Sequence, residues 1–161
     1  MSASADRPVI VVGVDGSEDS IRALRWAAGH ARLLGGEVHA VTGWEEPLTI
    51  MVVPFYKTAD YANDAEALLH RSIRAAFGSD HDVPVVPRVV QKHPSLALCI
   101  EAEGAELLVL GRRGRGEMPG IHLGTVAAHC VRHAPCPVVL VGPQTEHDRP
   151  SESQHQDRVT H

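Results

Sequence analysis

The chain has 161 residues, a formal net charge of -5, 43% hydrophobic residues and only 4% aromatic ones. These values fit one domain with an aliphatic core, and the acidic balance excludes a general affinity for DNA or RNA, which needs a basic face. The three cysteines, Cys99, Cys130 and Cys136, are too few and too irregular for a disulfide framework, which points to a reduced, cytoplasmic setting. The opening MSASADRP lacks an apolar core segment, so no signal peptide is expected. No apolar run approaches the roughly 18 residues of a membrane span.

In chain order, residues 9–14 (VIVVGV) form a β-branched run that predicts a buried strand. Asp15-Gly16-Ser17 ends it. Ser17 suits an N-cap, and Glu18 and Asp19 suit the first turn of a helix. Ile21, Leu24, Ala28, Ala31 and Leu34 then recur at helical spacing until Gly35-Gly36 stops them. Residues 37–43 (EVHAVTG) predict a second strand, and residues 44–57 a loop. Within that loop, the apolar stretch 48–56 could serve as a lid or pack on a neighbour. Residues 58–77 predict a long helix, with Ala65, Leu68, Leu69, Ile73 and Ala76 on one face. Residues 85–90 predict a third strand, and residues 94–103 a helix with Pro94 in its first turn. Residues 107–110 (LLVL) predict a fourth strand, residues 125–132 a helix, and residues 138–141 (VVLV) a fifth strand.

This alternation predicts right-handed crossovers and an α/β fold. Its expected form is a five-stranded, parallel, doubly wound sheet, Rossmann-like, of order 3-2-1-4-5, with helices on both faces. Residues 1–7 are expected to be an arm, 8–143 the domain and 144–161 a polar, disordered tail. In such a sheet ligands bind at the carboxyl ends of the strands. Three segments should meet there: 13–17, 43–46 and 111–125.

The last of these, GRRGRGEMPGIHLGT, carries glycine at 111, 114, 116, 120 and 124. Glycine lets backbone N–H groups approach a ligand closely, and successive N–H groups form an anion-binding concavity. Gly124-Thr125 opens a helix whose N-terminus favours negative charge. Arg112, Arg113 and Arg115 offer cations to phosphate oxygens. The pattern is neither GxxxxGK[ST] nor the dinucleotide GxGxxG, so on its own it specifies only an anion site.

The spacing Gly111-x2-Gly114-x9-Gly124-Thr125 resembles the nucleotide-binding signature of the universal stress protein family. The similarity extends over the opening VVGVDGS, the VTGWE segment, GAELLVLGRRGRG and RHAPCPVVLV, from Pro8 to Pro143. It is nearest to the single-domain, actinobacterial type. The resemblance implies an ATP site, with Mg, at which Asp15 contacts the nucleoside or its metal and Gly43 touches adenine through its backbone. It further implies that Leu110, Gly111, Arg113, Gly114, Gly124, Thr125 and Val126 hold base, ribose and phosphates, with Gly13 and Val14 in the same crevice. It also implies a homodimer paired through the last strand, Val138 to Val141. Two positions depart from the family pattern: His93 stands where glycine often precedes Pro94, and Arg112 where a small Ser or Thr is usual.

Several roles stay open at this level. Asp15 could cap the first helix instead of facing a ligand. His129 and His133 stand four apart, a zinc-ligand spacing, but without HExxH or a third ligand they read as surface or packing residues. Cys130 and Cys136 read as apolar thiols. The function implied is a nucleotide-dependent switch in a stress or dormancy response, with little or no catalysis and an unidentified protein partner. The alternatives are a slow ATPase or adenylate-forming enzyme, and a nucleotide-free dimeric adaptor.

Overall fold

The computed structural model describes residues 6–47, 58–117, 120 and 122–143. The element order is β1 (Val9–Gly13), α1 (Glu18–Leu34), β2 (Glu37–Trp44), α2 (Thr58–Phe77), β3 (Val85–Gln91), α3 (Pro94–Glu101), β4 (Leu107–Gly111), α4 (Thr125–His133) and β5 (Val138–Val141). All strand pairs are parallel, in the order β3-β2-β1-β4-β5. The doubly wound α/β sheet expected from the alternation of elements is therefore the fold. The apolar stretch 48–56, read as a lid or as a surface packing on a neighbour, and the tail at 144–161 lie outside the described residues, as do residues 1–5 of the arm.

The central strands β1 and β4 are buried on both faces, which explains their unbroken apolar runs. Strand parity sorts their side chains into two layers. Ile10, Val12 and Val109 pack with Leu24 of α1, Leu69 of α2 and Val38. Val11, Leu108 and Leu110 pack with Leu98 of α3, Cys130 of α4 and Val41. Alanines on α1 (Ala23, Ala27 and Ala31) are fully buried. They let that helix lie close on the sheet, so few aromatic residues are needed.

Element ends differ from the sequence reading in ways that bear on the cleft. β1 stops at Gly13, and Val14 leaves the ladder. The Val14 N–H still donates to Val41 O at 2.9 Å, and Thr42 Oγ1 donates to Val14 O at 2.9 Å. β2 runs on through Trp44, paired with Gln91, where a loop was expected. α3 ends at Glu101, two residues early, because Gly104 turns the chain at φ 75°. β4 takes in Gly111, and α4 reaches His133.

Cys130 is fully buried in the core layer against which Cys99 and Cys136 also pack. Burial, then the neighbouring Cys99, pushes its thiol up from 9.0 to about 12. A pKa raised in the folded state means that the thiol's contribution to stability is complete below 9.0 and is lost as pH climbs towards 12. The urea midpoint of the native protein should therefore fall above pH 9.0. Cys130→Ala, less stable at neutral pH through its cavity, should show a shallower alkaline fall. Parallel curves for the two proteins would refute this assignment.

A candidate anion-binding cleft at the carboxyl ends of the strands

The cleft forms where β1 and β4 send their following loops to opposite faces of the sheet, the switch point of a doubly wound fold. Asp15 sits just beyond β1. Its Oδ1 accepts from Ser17 N–H at 2.9 Å and its Oδ2 from Arg115 N–H at 2.8 Å. Asp15 is therefore not the cap of α1. That role belongs to Ser17, whose Oγ accepts from Ser20 N–H at 3.1 Å. Asp15 instead ties the end of β1 to the glycine loop a hundred residues later.

A second carboxylate makes a similar tie. Asp19, only 7% exposed, pairs through Oδ1 with Arg22 at 2.7 Å and accepts from Arg113 N–H through Oδ2 at 3.3 Å. Its position was readable as a helix-dipole residue, but its anchoring role was missed. The signal was present: Asp19, Ala23, Ala27 and Ala31 lie four apart and form one buried stripe.

The ends of the glycine loop are closed by Gly124 N–H donating to Arg112 O at 2.8 Å, while Arg112 N–H donates to Val141 O at 2.8 Å. Gly111, Gly114 and Gly124 do not need positive φ; they need space. A Cβ on Gly111 would stand 2.8–2.9 Å from Asp19 and Ser20 atoms at the start of α1, and one on Gly114 2.8 Å from Asp15 Oδ2. One on Gly124 would stand 3.2 Å from the Gly114 amide nitrogen. Gly116 and Gly120 supply the loop's positive φ, at 77° and 89°. Across the sheet, a Cβ on Gly43 would meet Pro94 Cα at 2.7 Å, so α3 also rests on a bare backbone. His93 caps α3 through Nδ1, which takes the Ser95 N–H at 3.3 Å. The His93-Pro94 departure thus builds a helix start without glycine.

The resulting cleft has a volume of about 350 Å³, within the range of small-ligand sites. Gly13, Val14, Asp15, Gly43, Leu110, Gly111, Arg113, Gly114, Gly124 and Val126 all line it, together with Arg115 and Glu117. Two expected residues do not. Thr125 is exposed and lines a neighbouring hollow with His129, Arg132 and His133, because the first turn of α4 points its side chain away from the loop. Arg112 also leaves the cleft. Its guanidinium lies over Gly142, 3.2 Å from where a Cβ would stand, and its Nε is buried without a partner among the described residues. It therefore neither faces the cleft nor lies free in solvent. Glu117, which had no expected role, borders both hollows, and its Oε1 accepts from Thr125 N–H at 3.3 Å.

The rings of His129 and His133 lie 4.5 Å apart, and no group of three or more metal-ligating side chains occurs among the described residues. No described helix is long and apolar enough to cross a membrane.

Sheet order, switch-point cleft and glycine-rich loop define a doubly wound α/β protein with a candidate small-molecule cleft at the carboxyl ends of its strands. The universal stress protein family model matches residues 7–142. The chain belongs to that family. A universal stress protein of Mycobacterium tuberculosis is 31% identical over 135 residues, covering 81% of this chain and 43% of the relative. The chain thus spans less than half the length of that relative. One from Thermus aquaticus is 31% identical over 140 residues, 82% of this chain and 96% of its own. Among solved structures, UspA of Lactobacillus plantarum superposes with TM-score 0.66 at 21% identity, covering 86% of this chain and 99% of its own. A universal stress protein in complex with cAMP gives 0.54 at 25%, over 87% and 100%. An Arabidopsis thaliana family protein with AMP bound gives 0.56 at 19%, over 90% and 97%.

Proposed function

We propose that this protein binds ATP, as its magnesium complex, in the cleft between Asp15, Gly43 and the glycine loop, and acts as a nucleotide-dependent switch in a stress or dormancy response. One observation carries the reading. Gly111, Gly114 and Gly124 line the cleft without side chains, Gly124 as the N-cap of α4, and Arg113 and Arg115 border the same cleft. Relatives of the same fold solved with cAMP and with AMP support an adenine ligand. Gly43 offers backbone to the base, Val126 and Leu110 offer apolar contact, and the loop amides take the phosphates. Binding would shift the loop and so a partner interaction. Little or no catalysis goes with this role, which belongs in the cytoplasm. Edge strand β5, with Leu140 38% exposed, is the face through which two copies would pair.

The direct test is mass spectrometry of the purified, denatured protein, which should release an adenine nucleotide. Mg-ATP at one hundred times its Kd should raise stability by about 2.7 kcal/mol. No thermal shift at millimolar Mg-ATP would end the proposal. A point test is Gly124→Ala, whose Cβ would stand 3.1 Å from Glu117 Oε1 and 3.2 Å from the Gly114 amide nitrogen. ATP affinity should fall by about tenfold or more, roughly one good hydrogen bond to a charged group, with the circular dichroism spectrum unchanged. Unchanged affinity in calorimetry would make the glycine a purely structural requirement.

A further inference from the structure

Glu117 places a carboxylate among the loop glycines. Its Oε1 accepts the Thr125 N–H at 3.3 Å. The same oxygen stands 3.1 Å from the Cβ position of Gly124 and 3.9 Å from that of Gly114. It therefore crowds the space that Gly124 keeps open and lies in ordinary contact with that beside Gly114. It also sits at the N-terminus of α4, where the helix dipole favours an anion. A carboxylate and a phosphate compete for the same feature there: a helix-terminal N–H and the partial positive charge behind it.

We infer that Glu117 is a specificity-determining residue of the cleft, an internal anion that a ligand's phosphate must displace. The inference rests on the nucleotide reading given above and adds a regulatory element to it. With Glu117 in place, phosphate-bearing ligands pay for breaking the Thr125 contact and for the approach of like charges. An unphosphorylated nucleoside pays neither. The residue thus narrows the affinity gap between adenosine and its phosphates.

Glu117→Gln separates charge from shape, because glutamine keeps the side-chain length and an acceptor oxygen for Thr125 N–H. The test is isothermal titration of the full chain and of this variant with adenosine and with ADP, both without divalent metal. The variant should bind ADP about fivefold tighter, the scale of a charge at a helix terminus, and adenosine with unchanged affinity. Equal ADP affinity in the two proteins would overturn the inference. So would an equal gain for adenosine, which would make the effect structural, or weaker ADP binding by the variant, which would make Glu117 a ligand-holding group. Failure of both proteins to bind either compound would overturn the nucleotide reading itself, and this inference with it.

Discussion

Gly111→Ala is expected to destabilise the protein by about 2–3 kcal/mol, the range of an overpacked core site, and to lower Tm by roughly 5–10 °C. The new methyl would press on the backbone of Asp19 and Ser20, at 2.9 Å from each, and neither can swing aside as a long side chain could. The start of α1 would have to recede. That would strain the Ser17 cap and the Asp19–Arg113 tie together, so the cleft should loosen as the fold weakens. Gly29→Ala is the control. It lies in the interior of α1 with open space around its Cβ position, and alanine there should stabilise by about 0.5–1 kcal/mol. Urea unfolding of the two variants decides the matter. Equal midpoints would show that α1 yields without cost.

Asp15→Ala should be the most damaging single change for the cleft. It removes the acceptor for Ser17 N–H and for Arg115 N–H at once. Bonds to a charged acceptor contribute about 1.5–3 kcal/mol each when buried. Asp15 is only partly buried, so a total loss of about 2 kcal/mol is expected. The glycine loop would then lose its link to β1, and affinity for the proposed nucleotide should fall about a hundredfold, the size of a binding site no longer held in shape. Asp15→Asn should divide the two ties. Its amide oxygen can still serve Ser17, while the NH2 group faces the Arg115 N–H and cannot accept from it. Asparagine should therefore keep most of the stability and still lose affinity. Denaturant curves paired with calorimetry for both variants test this, and equal stability losses would show that the Ser17 contact carries little and the Arg115 contact most of the effect.

The architecture was legible because each element announced itself locally. VIVVGV and LLVL read as strands buried on both faces, although Val14 leaves the ladder, and α1 carries its cap, its alanine stripe and its terminal glycine in sequence. The candidate cleft was legible in outline, through the glycine spacing and the positions after β1, β2 and β4. What sequence could not convey was side-chain direction. Arg112, Arg113 and Arg115 read as equivalent cations, yet the first lies over Gly142 while the others border the cleft. Thr125 was expected among the ligand-holding residues, but it lines the next hollow. Glu117 carried no expected role because its partner, the Thr125 amide, becomes available only once the loop closes.

The closure of that loop has an evolutionary consequence. Gly124 N–H on Arg112 O, with Arg112 N–H on Val141 O, makes a stem that is fixed independently of what is strung between its ends. Side-chain chemistry between residues 116 and 123 can change at constant length without moving the signature glycines, as in an exchangeable cassette held by a fixed clasp. New ligand preferences could arise there by substitution or exchange while the sheet, the helices and the cradle stay as they are.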